Sequence, residues 1–331
     1  MMEPLAAGQL DPAPLAGRRV AVFGFGAQGR AHALNLRDSG VDVVVALRDG
    51  SPRHADCAAE GLATQAPAAA ARACDLAVML VPDEAQPRLY EEALAPALRP
   101  GSGLLFAHGY NIHYCRLEPR NDLDVVMVAP LGIGEQVRRQ YQQGRGVPAL
   151  LAVHQDASGA AVAVAGAYAA ANGHARAAVF RTSFAAETET DLFAEQAVLC
   201  GGLGQLILVA FETLVEAGYP EEVAYFCCLH EVKLIADLVQ GRGLAGMRRS
   251  ISSTAAFGDA TRGPRVVGAA SRQAMQELLA EIRDGRFAAE LDAEMAQGAP
   301  TLAAWRRAAE THPIEAVGRR LRALMPWLEQ G

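Results

Sequence analysis

Two pairs of possible ligands repeat one spacing. Asp191 and Glu195 stand four residues apart in Thr-Glu-Thr-Asp-Leu-Phe-Ala-Glu (188–195), and Cys227 and Glu231 stand four apart in a later apolar segment. On a helix that spacing puts both side chains on one face, about one turn apart. Hard divalent cations take clusters of carboxylate oxygens, and helical bundles build such clusters from facing helices. Asp191, Glu195 and Glu231 are therefore metal candidates; the plainer alternative is a solvated acidic first turn, where the helix dipole favours negative charge. The apolar neighbours Phe193, Ala197, Val198 and Leu199 raise the cost of leaving those charges uncompensated. Cys227 admits three readings: a small apolar filler, a ligand for a softer metal, or a reactive thiol. His108 closes an apolar run, where it can act as an acid, orient through a water, or serve only as hydrogen-bonded structure.

A second chemistry is written near the N-terminus. The apolar run Arg18–Phe23 is followed at once by Gly24-Phe25-Gly26-Ala27-Gln28-Gly29, then by a helical stretch to Ser39 that stops at Gly40, then by the apolar run 41–47. A strand, a glycine-rich turn, a helix and a second strand are the setting in which GxGxxG becomes a dinucleotide fingerprint. The glycines let backbone close on a pyrophosphate at the helix N-terminus. Beyond the second strand come Arg48, Asp49, Ser51 and Arg53. Two cations and a hydroxyl suit a ribose 2′-phosphate, although Asp49 argues the other way, so the expected cofactor is NADPH.

These residues need elements to hold them. Short apolar runs continue at 76–81, 104–108, 125–129, 149–153 and 177–180, as expected of parallel strands buried on both faces. Ligand contacts in such a sheet come from the strand ends, here Pro82-Asp83-Glu84, Ala107-His108-Gly109 and Ala129-Pro130-Leu131. From Glu187 onward the pattern is helical: 188–202 with Thr188 or Thr190 as cap, 204–216, 223–238, 271–284, 288–297, 303–311 and 314–324. The expected architecture is an α/β Rossmann domain with a mostly parallel sheet over residues 1–183 and an all-α domain over 184–331.

Composition narrows the classes. A length of 331 residues suits two domains, and the net charge of −7 with no basic block argues against nucleic acid. The longest apolar stretch is read at 160–171, too short to span a bilayer, and the N-terminus lacks a signal-peptide pattern. Six scattered cysteines with no CxxC pair are expected to be reduced, in a cytoplasm.

The residues also carry a resemblance. The stretches 24–40, 82–84, Ala107-His-Gly-Tyr-Asn-Ile-His113, 187–202, 211–219, Cys228-Leu-His-Glu231 and His312-Pro-Ile-Glu315 resemble the class I, short-form ketol-acid reductoisomerases. These enzymes isomerise and reduce 2-acetohydroxy acids. The resemblance implies a Rossmann domain plus a knotted helical domain, an intertwined dimer with shared active sites, NADPH, two magnesium ions and a lysine that assists alkyl migration. Carried over by position, Asp191 and Glu195 match metal carboxylates of one subunit, and Glu231 matches one from the second. Ser252 matches the substrate-contacting serine and His108 the active-site histidine. Pro82, Asp83 and Gly134 join Gly24–Gly29, Arg48, Ser51 and Arg53 as cofactor candidates.

The departures fall on the chemistry. Where the family has Ala-Pro-Lys this chain has Ala129-Pro130-Leu131, and the following loop reads Gly132-Ile-Gly134-Glu-Gln136. One metal carboxylate is replaced by Cys227, and Ser253, Ala256 and Phe257 stand for the usual Asn, Glu and Tyr. A thiol is a poor magnesium ligand, so at most one magnesium site is expected. Three functions stay open: an NADPH-dependent reductase of a small C=O or C=N compound without the isomerase step, a working ketol-acid reductoisomerase, and a silent NADPH-binding or scaffold protein. A homodimer or a multiple of one, a small-molecule substrate, and no membrane or nucleic-acid partner complete the expectations.

Overall fold

The computed structural model describes residues 3–330; residues 1, 2 and 331, the outer ends of the two expected domains, lie outside it. The chain divides into two compact units, Met1–Thr190 and Asp191–Gly331.

The first unit runs β1 (Arg19–Phe23), α1 (Ala27–Asp38), β2 (Asp42–Ala46), α2 (Arg53–Ala59), β3 (Ala63–Gln65), α3 (Pro67–Ala73), β4 (Leu76–Met79), α4 (Gln86–Leu89), β5 (Gly103–Phe106), the single turn α5 (Tyr110–His113), β6 (Asp124–Pro130), α6 (Gly134–Gln142), β7 (Ala149–Gln155), α7 (Ala161–Ala171) and β8 (Val179–Arg181). The strands form one sheet in the order β3-β2-β1-β4-β5-β6-β7-β8. All pairings are parallel except β6 with β7. The chain reverses its direction of travel through the sheet between β1 and β4, and ligands of such sheets bind in the crevice at that switch point. Strands β4 and β5 are buried throughout, which their unbroken apolar sequences require. One face of the sheet packs Val20, Val22, Leu34, Leu36 and Tyr168; the other packs Phe23, Met79, Leu94, Leu104 and Phe106.

Helix α8 (Phe184–Ala194) carries the chain from the first unit into the second. The second unit contains α9 (Gly201–Glu216), α10 (Glu221–Tyr225), α11 (Glu231–Ser250), α12 (Ser253–Val266), α13 (Ala269–Arg283), α14 (Arg286–Ala296), α15 (Pro300–Thr311) and α16 (Pro313–Ala323). Its core is small, built by Phe211, Ala224, Tyr225, Ile314, Val317 and Leu321 from α9, α10 and α16.

Several expectations need correction. Helix α8 begins at Phe184, four residues before the expected start, because the Ser183 hydroxyl accepts the Ala186 amide at 3.1 Å and so caps it. Thr190 instead donates back to the Ala186 carbonyl at 2.7 Å, inside the helix. The expected helix 223–238 is two helices joined by a π turn at Phe226–His230, and α11 breaks again at Gly243, where φ is +66°. Helix α12 was not expected at all, since Gly258, Gly263 and Pro264 lie inside it. The stripe Val198–Leu199 does not face a core: the two are 52% and 60% exposed. Nor is 160–171 the longest apolar run. The helical run Phe184–Glu216, 33 residues with a mean hydropathy of 1.9 in its most apolar window, is long and apolar enough by length and composition to cross a membrane. Its acidic head, residues 187–195, hides the apolar tail from a reading that starts at the charges.

Candidate active site

The fingerprint turn owes its path to its glycines. Gly24 has φ +105°, and a Cβ there would lie 2.7 Å from the Leu80 carbonyl oxygen at the end of β4. A Cβ on Gly29 would lie 2.3 Å from the Gly24 oxygen, whereas Gly26 faces open space. Gly26 caps α1 with no side chain, so the first amides of the helix have no side-chain cap and point along its axis. Open backbone, uncapped amides and the positive end of a helix suit a pyrophosphate, so these residues fit a dinucleotide.

The cofactor candidates play different parts. Phe25 is 4% exposed and packs in the sheet core, so only its backbone faces the turn. Gln28 donates its Nε2 to the Gly132 carbonyl at 2.9 Å. Gly134 opens α6 against the fingerprint itself, since a Cβ on it would lie 2.3 Å from the Ala27 oxygen. The loop after β6 is thus pinned to the loop after β1. Asp83 accepts from Gln86 Nε2 at 3.1 Å, and the Asp83 carbonyl accepts from Asn111 at 2.9 Å. The buried residues Gln86 and Asn111 hold Pro82-Asp83 in place; Asn111 lies in the stretch 107–113 already singled out, whereas no motif marks Gln86. At the end of β2, Arg48 is exposed and makes no ion pair among the described residues, while Arg53 binds Asp56 at 2.9 Å and Arg53 N–H donates to the Ser51 hydroxyl at 3.3 Å.

The end of β5 carries His108, the candidate histidine of the sequence reading. His108 Nδ1 lies 3.0 Å from Glu187 Oε1, and Gly109 N–H donates to Glu187 Oε2 at 2.8 Å. Glu187 is 4% exposed, and those donors, with the Thr188 hydroxyl at 3.4 Å, compensate its buried carboxylate. A carboxylate only accepts, so Nδ1 carries a proton toward Glu187. Position 109 must be glycine, because a Cβ there would lie 2.4 Å from Thr188 Oγ1 and 2.9 Å from the Phe184 carbonyl. Glu187 was missed as a site residue, although its place four residues before Asp191 was a signal.

Asp191 follows Glu187 by one turn on α8, and Glu195 opens the π turn Glu195–Leu199. Cys227 and Glu231 flank the second half of the other π turn in this unit; both are exposed. Single π turns inside helices recur at functional sites, where they re-aim side chains. Asp191, Glu195 and Glu231 are of the oxygen-donor kind that hard cations take, but no group of ligand atoms among the described residues gathers these three, and the thiol of Cys227 is a poor match for such a cation. Ser252 is the N-cap of α12, its Oγ accepting the Ala255 amide at 3.2 Å, which gives the hydroxyl a structural duty as well. Beside the glycine-rich turn, Leu131 and Ile133 are 53% and 65% exposed.

Comparison with known proteins bears on the whole chain. Residues 14–178 match the family model described as acetohydroxy acid isomeroreductase, NADPH-binding domain, and residues 184–327 match ketol-acid reductoisomerase, C-terminal domain. An NADH-preferring ketol-acid reductoisomerase from an uncultured archean is 41% identical, with a TM-score of 0.95, over 98% of this chain and 99% of that one. More distant structures share the fold alone. A semialdehyde dehydrogenase NAD-binding protein from Cupriavidus necator is 20% identical with a TM-score of 0.62, covering 81% of this chain and 99% of that one. A 1-pyrroline-5-carboxylate reductase from Streptococcus pyogenes is 14% identical with a TM-score of 0.52, covering 81% and 98%. With a nucleotide-binding α/β domain, an all-helical second domain and both family models matched, the chain is an NAD(P)-dependent oxidoreductase that belongs to the ketol-acid reductoisomerase family.

Proposed function

We propose that the chain is an NADPH-dependent reductase that delivers a hydride to the C=O or C=N of a small keto acid, ketone or imine and no longer migrates an alkyl group. The observation that carries this reading is Leu131. It stands at the end of β6, beside the fingerprint turn, where the family has its lysine. No other lysine takes its place, because the chain's only lysine is Lys233, which pairs with Asp237 at 2.7 Å on α11. Alkyl migration must ionise a hydroxyl and polarise the adjacent carbonyl together, and leucine stabilises no developing charge. Cys227 weakens the same step, because a thiol does not hold a second magnesium ion well. Asp191 and Glu195, with Glu231 contributed by a second copy of the chain, would hold one magnesium ion, which when bound supplies a Lewis acid for the acceptor's heteroatom.

Hydride transfer asks less of the protein. The reduced nicotinamide supplies the hydride to the acceptor carbon, and the π pair of C=O or C=N moves to the heteroatom. A proton must then reach that atom, and His108, held by Glu187 through Nδ1, is the group we assign to supply it, entering the step as the imidazolium and giving up its Nε2 proton to return to the Nδ1–H form. Arg48 and Ser51 at the end of β2 support a preference for NADPH, since a guanidinium without an ion pair suits a 2′-phosphate. The reading also places the enzyme in a cytoplasm, in keeping with six unpaired cysteines. The test is NADPH oxidation with a panel of keto acids, ketones and cyclic imines, repeated with NADH. Turnover of at least one acceptor, faster with NADPH at low cofactor, is expected. A panel that leaves NADPH unoxidised would point to a silent nucleotide-binding protein, and tighter use of NADH would reverse the cofactor assignment.

A further inference from the structure

Away from the catalytic edge, the first unit buries two histidines that the chemistry above does not use. His32 lies on α1, three residues beyond the last fingerprint glycine, and His174 follows α7; both are 0% exposed. His32 Nδ1 lies 2.6 Å from the hydroxyl of Tyr168, itself fully buried on α7. His174 Nδ1 lies 2.7 Å from the Val147 carbonyl. The Nε2 atom of each ring is buried and has no hydrogen-bond partner among the described residues, and the same holds for Asn172 Oδ1. Buried polar atoms are rarely left so.

The protonation pattern follows from the partners. A carbonyl only accepts, so His174 carries its proton on Nδ1 and offers a lone pair at Nε2. Burial pushes the Tyr168 phenol up, so it keeps its proton, and we assign that proton to the 2.6 Å bond with His32 Nδ1. His32 then bears its proton on Nε2. Burial pushes His32 down to about 3 and His174 down to about 4, so both rings stay neutral near neutral pH and these tautomers hold. One orphan is therefore a donor and the other an acceptor. Each ring nitrogen sits about 1 Å from its centroid and a direct bond needs the nitrogens about 3 Å apart, so centroids 6.1 Å apart are too distant for one.

We infer that His32 and His174 bind one internal water between their Nε2 atoms, and that this water ties the cofactor helix to the backbone beneath the β6 loop. The water accepts from His32 Nε2–H and donates to His174 Nε2, with Asn172 Oδ1 as acceptor for its second proton. Three such bonds are the usual complement of a buried water. The chain of contacts then continues. Val147, whose carbonyl His174 holds, packs against Gly132, and Leu131 N–H donates to the Pro148 carbonyl at 2.8 Å. Gln28 and Gly134 close the loop back onto the fingerprint. His174 is thus a positioning residue for the nucleotide site, acting through the water and α1.

The inference is tested on the unmodified protein first. A high-resolution crystal structure is expected to show one water between the two Nε2 atoms, and nitrogen-15 NMR to report Nε2–H for His32 and Nδ1–H for His174. A dry contact between the rings, or the opposite tautomer at either histidine, would overturn it. His174→Asn keeps a donor for the Val147 carbonyl while removing Nε2, and His174→Phe removes both. His174→Asn is expected to lose the water and weaken NADPH binding about tenfold, the scale of one buried hydrogen bond, with its circular-dichroism spectrum unchanged. A folded His174→Asn protein that binds NADPH as tightly as the unmodified one would overturn the positioning role.

Discussion

A carboxylate that is 4% exposed and holds both an imidazole nitrogen and a backbone amide is an expensive group to keep unless it orients something. Glu187 fixes the tautomer and angle of His108, and through Gly109 it fixes the strand end on which His108 stands. Its removal should therefore act on chemistry more than on cofactor affinity. Glu187→Gln keeps the shape but lets the amide nitrogen face the Gly109 N–H or the His108 ring, donor against donor. We expect kcat to fall by roughly two orders of magnitude, the lower range for a misplaced general acid, with the NADPH Kd within about twofold of the original. Single-turnover kinetics beside a fluorescence titration of NADPH separate the two quantities. An unchanged kcat would remove His108 and Glu187 from the chemistry.

At the scale of elements, close approach of three loops makes the nucleotide site. The loops after β1, β4 and β6 touch at Gly24, Gly29 and Gly134, each of which a Cβ would bring within 2.7 Å of a backbone oxygen. Gly134→Ala should push α6 away from Ala27, costing about 1–3 kcal/mol of stability as an overpacked contact does. NADPH binding should weaken with it, which thermal melts with and without cofactor would measure. A variant with unchanged melting in both states would show that the loops yield freely. Much of this region was legible in the sequence. Glycines between an apolar run and a helix announce the turn, and the strands β1, β2, β4, β5 and β6 follow from unbroken apolar runs. The three-residue edge strand β3 and helix α12 were not legible, the first for its length and the second because glycine and proline lie in its interior. The π turns at Glu195–Leu199 and Phe226–His230 were equally hidden, because an inserted residue leaves the i, i+4 pattern of ligands intact while changing their aim. Glu187 was overlooked for a related reason: the metal pattern drew the eye to Asp191 and Glu195, although burial decides which carboxylate is committed to the protein.

At the scale of the whole molecule, the second unit carries apolar surface that its own small core does not use. Leu199, Leu206 and Val209 on the long helical run, and Leu234 and Ile235 on α11, are between 41% and 60% exposed. Exposed apolar side chains grouped on one unit are what an interface would cover. We propose a second copy of the chain as its occupant, with net charge −7 and the acidic helix head arguing against an anionic lipid surface. Light scattering at micromolar concentration should give a dimer or a multiple of one, and a monodisperse folded monomer would contradict this. The central claim is that hydride transfer outlives alkyl migration in this chain. Its most direct measurement follows NADPH oxidation with 2-acetolactate and with its rearranged product, 3-hydroxy-3-methyl-2-oxobutanoate, each with and without magnesium. Losing one charge-stabilising group of an active site costs about two to three orders of magnitude in rate. Leu131 and Cys227 act on the same step, so 2-acetolactate should give no useful turnover in the unmodified protein, and Leu131→Lys with Cys227→Glu should restore part of it. Turnover of 2-acetolactate as fast as of the rearranged keto acid, in the unmodified protein with magnesium, would contradict the account.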